Sequence, residues 1–168
     1  MSDDVITYRR FSERPARDYV TGAWTRRIRS TSMALMIAGV AAGLVALPFL
    51  PEEIPTHFGF TGEADAWGSK WSLLGMLALW AVMQIGMDAL SRHPRLINFP
   101  GPLTSANAQR LYRVGEQMLV WLSASLAIVF LGIVGMVLGL PTVALAMIGL
   151  VGTLVATFGG IARLGNAS

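Results

Sequence analysis

TSMALMIAGVAAGLVALPFL, residues 31–50, is followed directly by PEEIPTHFGFTGEADAWGSKW, residues 51–71. The first segment carries no charge, and its length is what a helix needs to cross ~30 Å of hydrocarbon. The second segment is polar and holds four carboxylates, one histidine and one lysine. The junction therefore predicts a membrane helix that emerges into a folded polar loop.

The rest of the chain contains three more apolar segments of membrane-spanning length. Of its 168 residues, 54% are hydrophobic and 14% charged, which is typical of polytopic membrane proteins and not of soluble domains. We predict an all-α integral membrane protein whose four transmembrane helices lie near 31–50, 72–91, 116–139 and 141–162. Gly139, Leu140 and Pro141 leave room only for a tight turn between the last two.

The distribution of basic residues predicts the topology. Twelve of the 13 lie in the N-terminal segment, in the 92–115 loop or near the C-terminus, and Lys70 alone lies in the 51–71 loop. Basic residues are retained on the cytoplasmic side, so both termini should be cytoplasmic and 51–71 external. This gives a cytoplasmic basic tail over 1–30 and a membrane domain over 31–168. Orientation explains the positive charge, and no nucleic-acid partner is predicted.

Small residues four apart indicate where membrane helices approach closely. Such contacts form either within one bundle of helices or between copies of the chain in a homo-oligomer. An oligomeric transporter subunit is one functional hypothesis that rests on this pattern. The small residues are Gly39 with Gly43, Gly135 with Gly139, and the stripe Gly152, Ala156 and Gly160.

Two carboxylates near the cytoplasmic ends of the predicted helices have basic neighbours. Asp88 is four residues from Arg92, and Glu116 is three residues from Arg113. Residues at these spacings lie on one helix face. We therefore expect two interfacial ion pairs, Asp88 with Arg92 and Glu116 with Arg113.

Prolines and glycines in the 51–71 loop predict several backbone reversals. A brief alternation predicts a short strand or hairpin over the mouth of the bundle, with an apolar side. That side consists of Ile54, Thr56, Phe58 and Phe60. Trp67 and Trp71 flank the re-entry point and are expected to lie at the membrane interface.

The polar side chains of the loop suggest a site. His57, Glu63 and Asp65 could supply one nitrogen and two oxygens to a divalent metal, because zinc accepts such mixed ligands. A metal-dependent membrane enzyme using these three residues is the second functional hypothesis. Lys70 is expected to pair with Glu63 or Asp65, or else to extend toward the interface.

The loop resembles a motif of a known family. It matches P-x-x-I-P-x-H-F/W-x-x-x-G-x-x-D-x-x-x-S-K, found in the bacterial membrane family that includes the sporulation-delaying toxin immunity protein (SdpI-like). The similarity extends over about residues 31–139 and includes the family's N-x-P-x-x-x-T-x-E-N motif, although Ala106 stands where that motif has an acid. The matching residues are Pro51, Ile54, Pro55, His57, Phe58, Gly62, Asp65, Ser69 and Lys70, and then Asn98, Pro100, Thr104 and Asn107.

This resemblance implies a protein of the bacterial cytoplasmic membrane. It implies a non-enzymatic role in recognition, immunity or signalling, in which the external PTHFGFTGEAD segment (55–65) senses a peptide, an ion or a partner. The cytoplasmic loop would then report occupancy. The implied binding residues are His57, Phe58, Glu63, Asp65 and Lys70 outside, and Asn98 and Asn107 inside.

Overall fold

The computed structural model describes residues 5–59 and 61–167 and contains four long helices and a two-stranded sheet. Each of the four helices is long and apolar enough to cross a membrane, which confirms the predicted fold class. Phe60, part of the predicted apolar side of the loop, lies outside the described residues. In chain order the elements are α1 (Ala23–Ala46), β1 (Glu53–Phe58), β2 (Ala64–Ser69), α2 (Ser72–Arg92), α3 (Ala108–Val137) and α4 (Val143–Gly165).

Helix α3 is the centre of the bundle, because it contacts α1, α2 and α4. The core between the first three helices is built around Trp80 of α2, which is fully buried. Its ring stacks on Phe130 of α3 with a centroid distance of 5.5 Å. Gly39 of α1 faces the same indole, where a β-carbon would collide with the ring. The small residue thus lets α1 approach the largest side chain of the core.

Several of the other predicted small residues also lie at contacts within this chain, among them Gly43 against Leu77 of α2. Helices α3 and α4 approach closely at Gly132, where a β-carbon would lie 2.8 Å from Cα of Ala146. Two members of the predicted α4 stripe face α3, Gly152 against Ser125 and Gly160 against Met118. These residues therefore pack within one copy, and association of copies through the stripe stays a prediction.

The turn between α3 and α4 has the predicted tight form. Gly139 adopts a positive φ of 77°, which favours glycine at the end of a helix. The Leu140 N–H donates to the Gly135 carbonyl over 2.9 Å and closes the turn. Helix α4 consequently runs back along α3.

The N-terminal segment packs against the loop between α2 and α3. Tyr8 N–H donates to the Leu103 carbonyl over 2.8 Å, and Arg14 donates to the Ile97 carbonyl over 2.7 Å. Residues 23–30 of the predicted tail belong to α1. We call this side of the bundle, formed by residues 5–22, residues 93–107 and the end of α4, the basic end. The opposite side is the hairpin end.

Candidate functional site

The 51–71 loop is an antiparallel β-hairpin, as predicted. Ile54 pairs with Gly68 and His57 with Ala66, and the register is irregular around Thr56. Ile54 is only 2% exposed and belongs to the same core cluster as Trp80. This buried side chain anchors β1 to the helices, while the neighbouring polar side chains face outward.

The tip of the hairpin is docked on α4. Gly62 has a φ of 85°, and a β-carbon there would lie 2.8 Å from Cβ of Val143. The Gly59 N–H donates to the Glu63 carbonyl over 2.9 Å and closes the tip. Only glycine meets both the backbone and the space requirement at residue 62. The hairpin thus extends from the α1–α2 side of the bundle to the start of α4.

His57 and Asp65 face each other across the two strands. His57 Nδ1 lies 2.5 Å from Asp65 Oδ1, and the side chains are 70% and 54% exposed. An exposed pair of this kind adds little to stability. Both groups are therefore accessible to a ligand at low energetic cost.

A cavity of about 560 Å³ lies between the hairpin, α3 and α4. Its helix walls are apolar and include Ile133, Met136 and Met147, whereas His57 and Asp65 stand on the hairpin side. Ligand sites commonly combine apolar walls with a few placed polar groups. The arrangement suits a ligand with an apolar body and one polar or charged end.

Lys70 pairs with Glu52, and the prediction of Glu63 or Asp65 as its partner is wrong. Lys70 Nζ lies 3.0 Å from Glu52 Oε1, and the Lys70 N–H donates to the Glu52 carbonyl over 2.9 Å. The strand register places residues 52 and 70 opposite each other at the base of the hairpin. Glu63 and Asp65 lie near its tip, which accounts for the difference.

The structure brings together two of the three predicted metal ligands. Glu63 is exposed and stands apart from His57 and Asp65. Within residues 5–59 and 61–167, no group of three histidine, cysteine, aspartate or glutamate side chains is close enough to hold a metal ion. Catalytic zinc sites use three protein ligands, so this pair falls one short.

A second polar cluster, which the sequence reasoning missed, lies inside the basic end around Glu116. This side chain is 2% exposed, accepts from Arg29 Nη2 over 2.7 Å and accepts from Thr21 Oγ1 over 2.6 Å. The predicted pairing with Arg113 is wrong, because the Arg113 guanidinium lies 4.7 Å from the centre of the Tyr19 ring. Burial, reinforced by the Glu116 carboxylate, raises the pKa of the Tyr19 hydroxyl.

The predicted pair of Asp88 with Arg92 is confirmed. Arg92 Nε donates to Asp88 Oδ2 over 2.9 Å, and Arg29 Nε lies 3.6 Å from Asp88 Oδ1. One turn deeper, Gln84 Nε2 donates to Ser123 Oγ over 2.6 Å. The cluster therefore joins α1, α2 and α3. Arg29 is the last charged residue before the uncharged part of α1. This position next to the apolar segment is the sequence feature that could have indicated a buried partner for Arg29.

The two asparagines predicted as internal binding residues lie at the basic end but differ in setting. Asn98 is exposed. Asn107 is 7% exposed, and its side chain accepts from the Thr104 N–H over 2.8 Å and donates to the Pro102 carbonyl over 3.1 Å. These bonds fix the loop before α3. A ligand at Asn107 would have to displace them.

Four apolar helices and a docked hairpin define a small multi-pass membrane protein. The family described as a domain of unknown function (DUF1648) matches residues 34–81, which include the end of α1, the hairpin and the first half of α2. The chain is also similar to an uncharacterized protein of Archaeoglobus fulgidus, 36% identical over 59 residues that cover 30% of this chain and 32% of that protein. The chain thus spans about a third of this relative. No solved structure matches it.

Proposed function

We propose that the protein recognises a cationic, amphipathic peptide at its hairpin end, without catalysing a reaction. The observation that carries this proposal is the cavity of about 560 Å³, with apolar helix walls and the His57–Asp65 pair on the hairpin side. An apolar face of a peptide fits the walls, and a lysine or arginine fits beside Asp65. Burying one leucine side chain there contributes roughly 1.5–3 kcal/mol.

The charge of the hairpin segment supports a cationic ligand. Residues 51–71 contain Glu52, Glu53, Glu63 and Asp65 against Lys70, so four negative charges and one positive charge give −3 with histidine neutral. Lys70 is already paired with Glu52. The remaining carboxylates attract positive peptides and repel negative ones.

The proposed orientation places the hairpin outside the bacterial cytoplasmic membrane and the basic end inside. The positive-inside rule supports it, because twelve of the 13 basic residues lie away from the hairpin. The resemblance of residues 51–70 to the SdpI-like motif supports the immunity form of the proposal. In that form the hairpin captures a secreted membrane-active peptide, and the loop at the basic end signals its presence.

Cysteine labelling tests this orientation, because the chain has no cysteine. We place one cysteine in the hairpin (Ala64→Cys) or one at the basic end (Ser105→Cys) and treat intact cells with a membrane-impermeant maleimide. Labelling of the hairpin variant alone is the expected result. Labelling of the basic-end variant alone would reverse the proposed orientation.

Peptide binding tests the recognition itself. The protein is reconstituted in zwitterionic nanodiscs and titrated with a labelled amphipathic helix of leucine and lysine, and binding is followed by fluorescence anisotropy. Met147→Trp fills the cavity from α4 and should weaken binding roughly tenfold or more, because an apolar side chain loses its place. Asp65→Asn should weaken it about two- to fivefold through loss of an exposed charge contact.

The matched control is Leu154→Trp, on the exposed face of α4 and outside the cavity lining. This variant should bind the peptide like the parent protein. A leucine and glutamate peptide of the same length should bind weakly. Equal binding by the Met147→Trp and Leu154→Trp variants would show that the peptide partitions into lipid, and would refute the proposal.

A further inference from the structure

A basic groove lies between α3 and α4 at the basic end, away from the hairpin. It has a volume of about 340 Å³ and is lined by three arginines, two glutamines and a valine. The arginines are exposed and belong to both helices. We call these three residues, Arg110, Arg113 and Arg163, the arginine triad.

Neutral partners hold each guanidinium of the triad in place. Arg110 donates twice to the Ala167 carbonyl, over 3.1 and 2.8 Å, and Arg163 Nη2 donates to Gln117 Oε1 over 2.6 Å. Arg113 lies over the ring of Tyr19. None of the triad forms an ion pair with a carboxylate in the part of the chain that the structure describes. The three guanidinium groups are thus held in position, and within residues 5–59 and 61–167 their positive charge is not paired with a carboxylate.

The groove continues into an apolar surface. Arg163 is in the last turn of α4, and Gly159 and Val155, one and two turns earlier on the same side of the helix, are exposed, Val155 to 66%. On α3, Trp121 is 47% exposed one turn beyond Gln117. Charged groups at a helix end, with apolar groups next to them toward the membrane, match the order of headgroup and acyl chain in a phospholipid.

We infer that the arginine triad binds the phosphate headgroup of an anionic phospholipid. Guanidinium groups bind phosphate oxygens with paired hydrogen bonds, and basic pockets between membrane helices bind anionic headgroups. A soluble phosphate offers the same oxygens but makes no use of the adjoining apolar surface. The lipid is therefore the ligand that uses both parts of the site.

Native mass spectrometry of the detergent-solubilised protein tests this inference. The protein is titrated with phosphatidylglycerol, and with phosphatidylcholine of the same acyl chains. The Arg113→Gln/Arg163→Gln variant should lose roughly 25-fold in phosphatidylglycerol affinity, at about fivefold per arginine. The Arg9→Gln/Arg27→Gln variant loses the same charge from exposed positions outside the groove and should bind like the parent protein.

A second variant and a competition with inorganic phosphate complete the experiment. Gln117→Glu serves as the second variant in case the double arginine variant folds poorly. It retains all three arginines but adds a carboxylate beside Arg163, and it should also weaken phosphatidylglycerol binding. Inorganic phosphate should not displace the lipid. An equal loss of phosphatidylglycerol affinity in the two double variants would show that the lipid responds only to the total charge of the protein. Displacement of the lipid by phosphate would show that the groove binds a soluble anion. Either result would overturn the inference.

Discussion

Removing the charge of Glu116 should destabilise the bundle more than removing any exposed carboxylate. The side chains of Glu116 and Arg29 are 2% and 9% exposed, and Glu116→Gln keeps the shape and the hydrogen bond from Thr21. Breaking a buried ion pair costs about 3–5 kcal/mol, because it leaves one charge buried and unpaired. Asp88 still lies 3.6 Å from Arg29, so we expect about 3 kcal/mol, the lower end of that range.

The assay is unfolding in mixed detergent micelles, followed by far-ultraviolet circular dichroism. Glu63→Gln is the matched control, because Glu63 is exposed on the hairpin and outside every ion pair among the described residues. The double variant Glu116→Gln/Arg29→Met should cost about as much as either single change, since both break the same pair. Equal stability of the Glu116→Gln and Glu63→Gln variants would refute the buried pair.

Three further predictions concern single side chains. Gly62→Val should cost about 1–3 kcal/mol through backbone strain, together with a clash against Val143, and limited proteolysis should cut its hairpin faster than that of Gly59→Ala. Lys70→Gln should cost less than about 1 kcal/mol by chemical unfolding, because its partner Glu52 is 83% exposed. The raised pKa of Tyr19 means that the unfolded state loses this proton first, so stability should fall above about pH 10, and less steeply in Tyr19→Phe.

The elements of the fold could be predicted because each depends on local sequence. Apolar length predicted the four spans, and the alternation from Ile54 to Phe58 predicted the hairpin. Helix α1 begins at Ala23 and α3 at Ala108, before the predicted spans, because their charged first turns also form helix and find partners outside the apolar region.

Side-chain partners were harder to predict because they depend on how elements are rotated against each other. Arg29 and Glu116 are 87 residues apart, and only the packing of α1 on α3 makes them neighbours. Spacing along one helix therefore predicted Arg113 as the partner of Glu116, but Arg113 lies over the ring of Tyr19. At the hairpin, sequence proximity grouped Glu63 with His57, whereas Glu63 lies in the turn between the two strands and is exposed.

The cavity beside the hairpin could not be predicted for a related reason. Its walls come from α3 and α4, far along the chain from His57. The contact of Gly62 with Val143 determines where the hairpin docks on α4. The sequence indicated the polar residues of the site, whereas its apolar walls are formed only when α3 and α4 pack beside the hairpin.

Photo-crosslinking from the cavity tests the recognition proposal most directly. Benzoylphenylalanine replaces Met147, which lines the cavity, or Leu154, which is exposed on the same helix outside the lining. Each protein is irradiated in nanodiscs with the leucine and lysine peptide, and adducts are measured by mass spectrometry. We expect a peptide adduct at position 147 that exceeds the adduct at 154 and decreases in an Asp65→Asn background. Equal adducts at both positions, unaffected by Asp65→Asn, would contradict peptide recognition in the cavity.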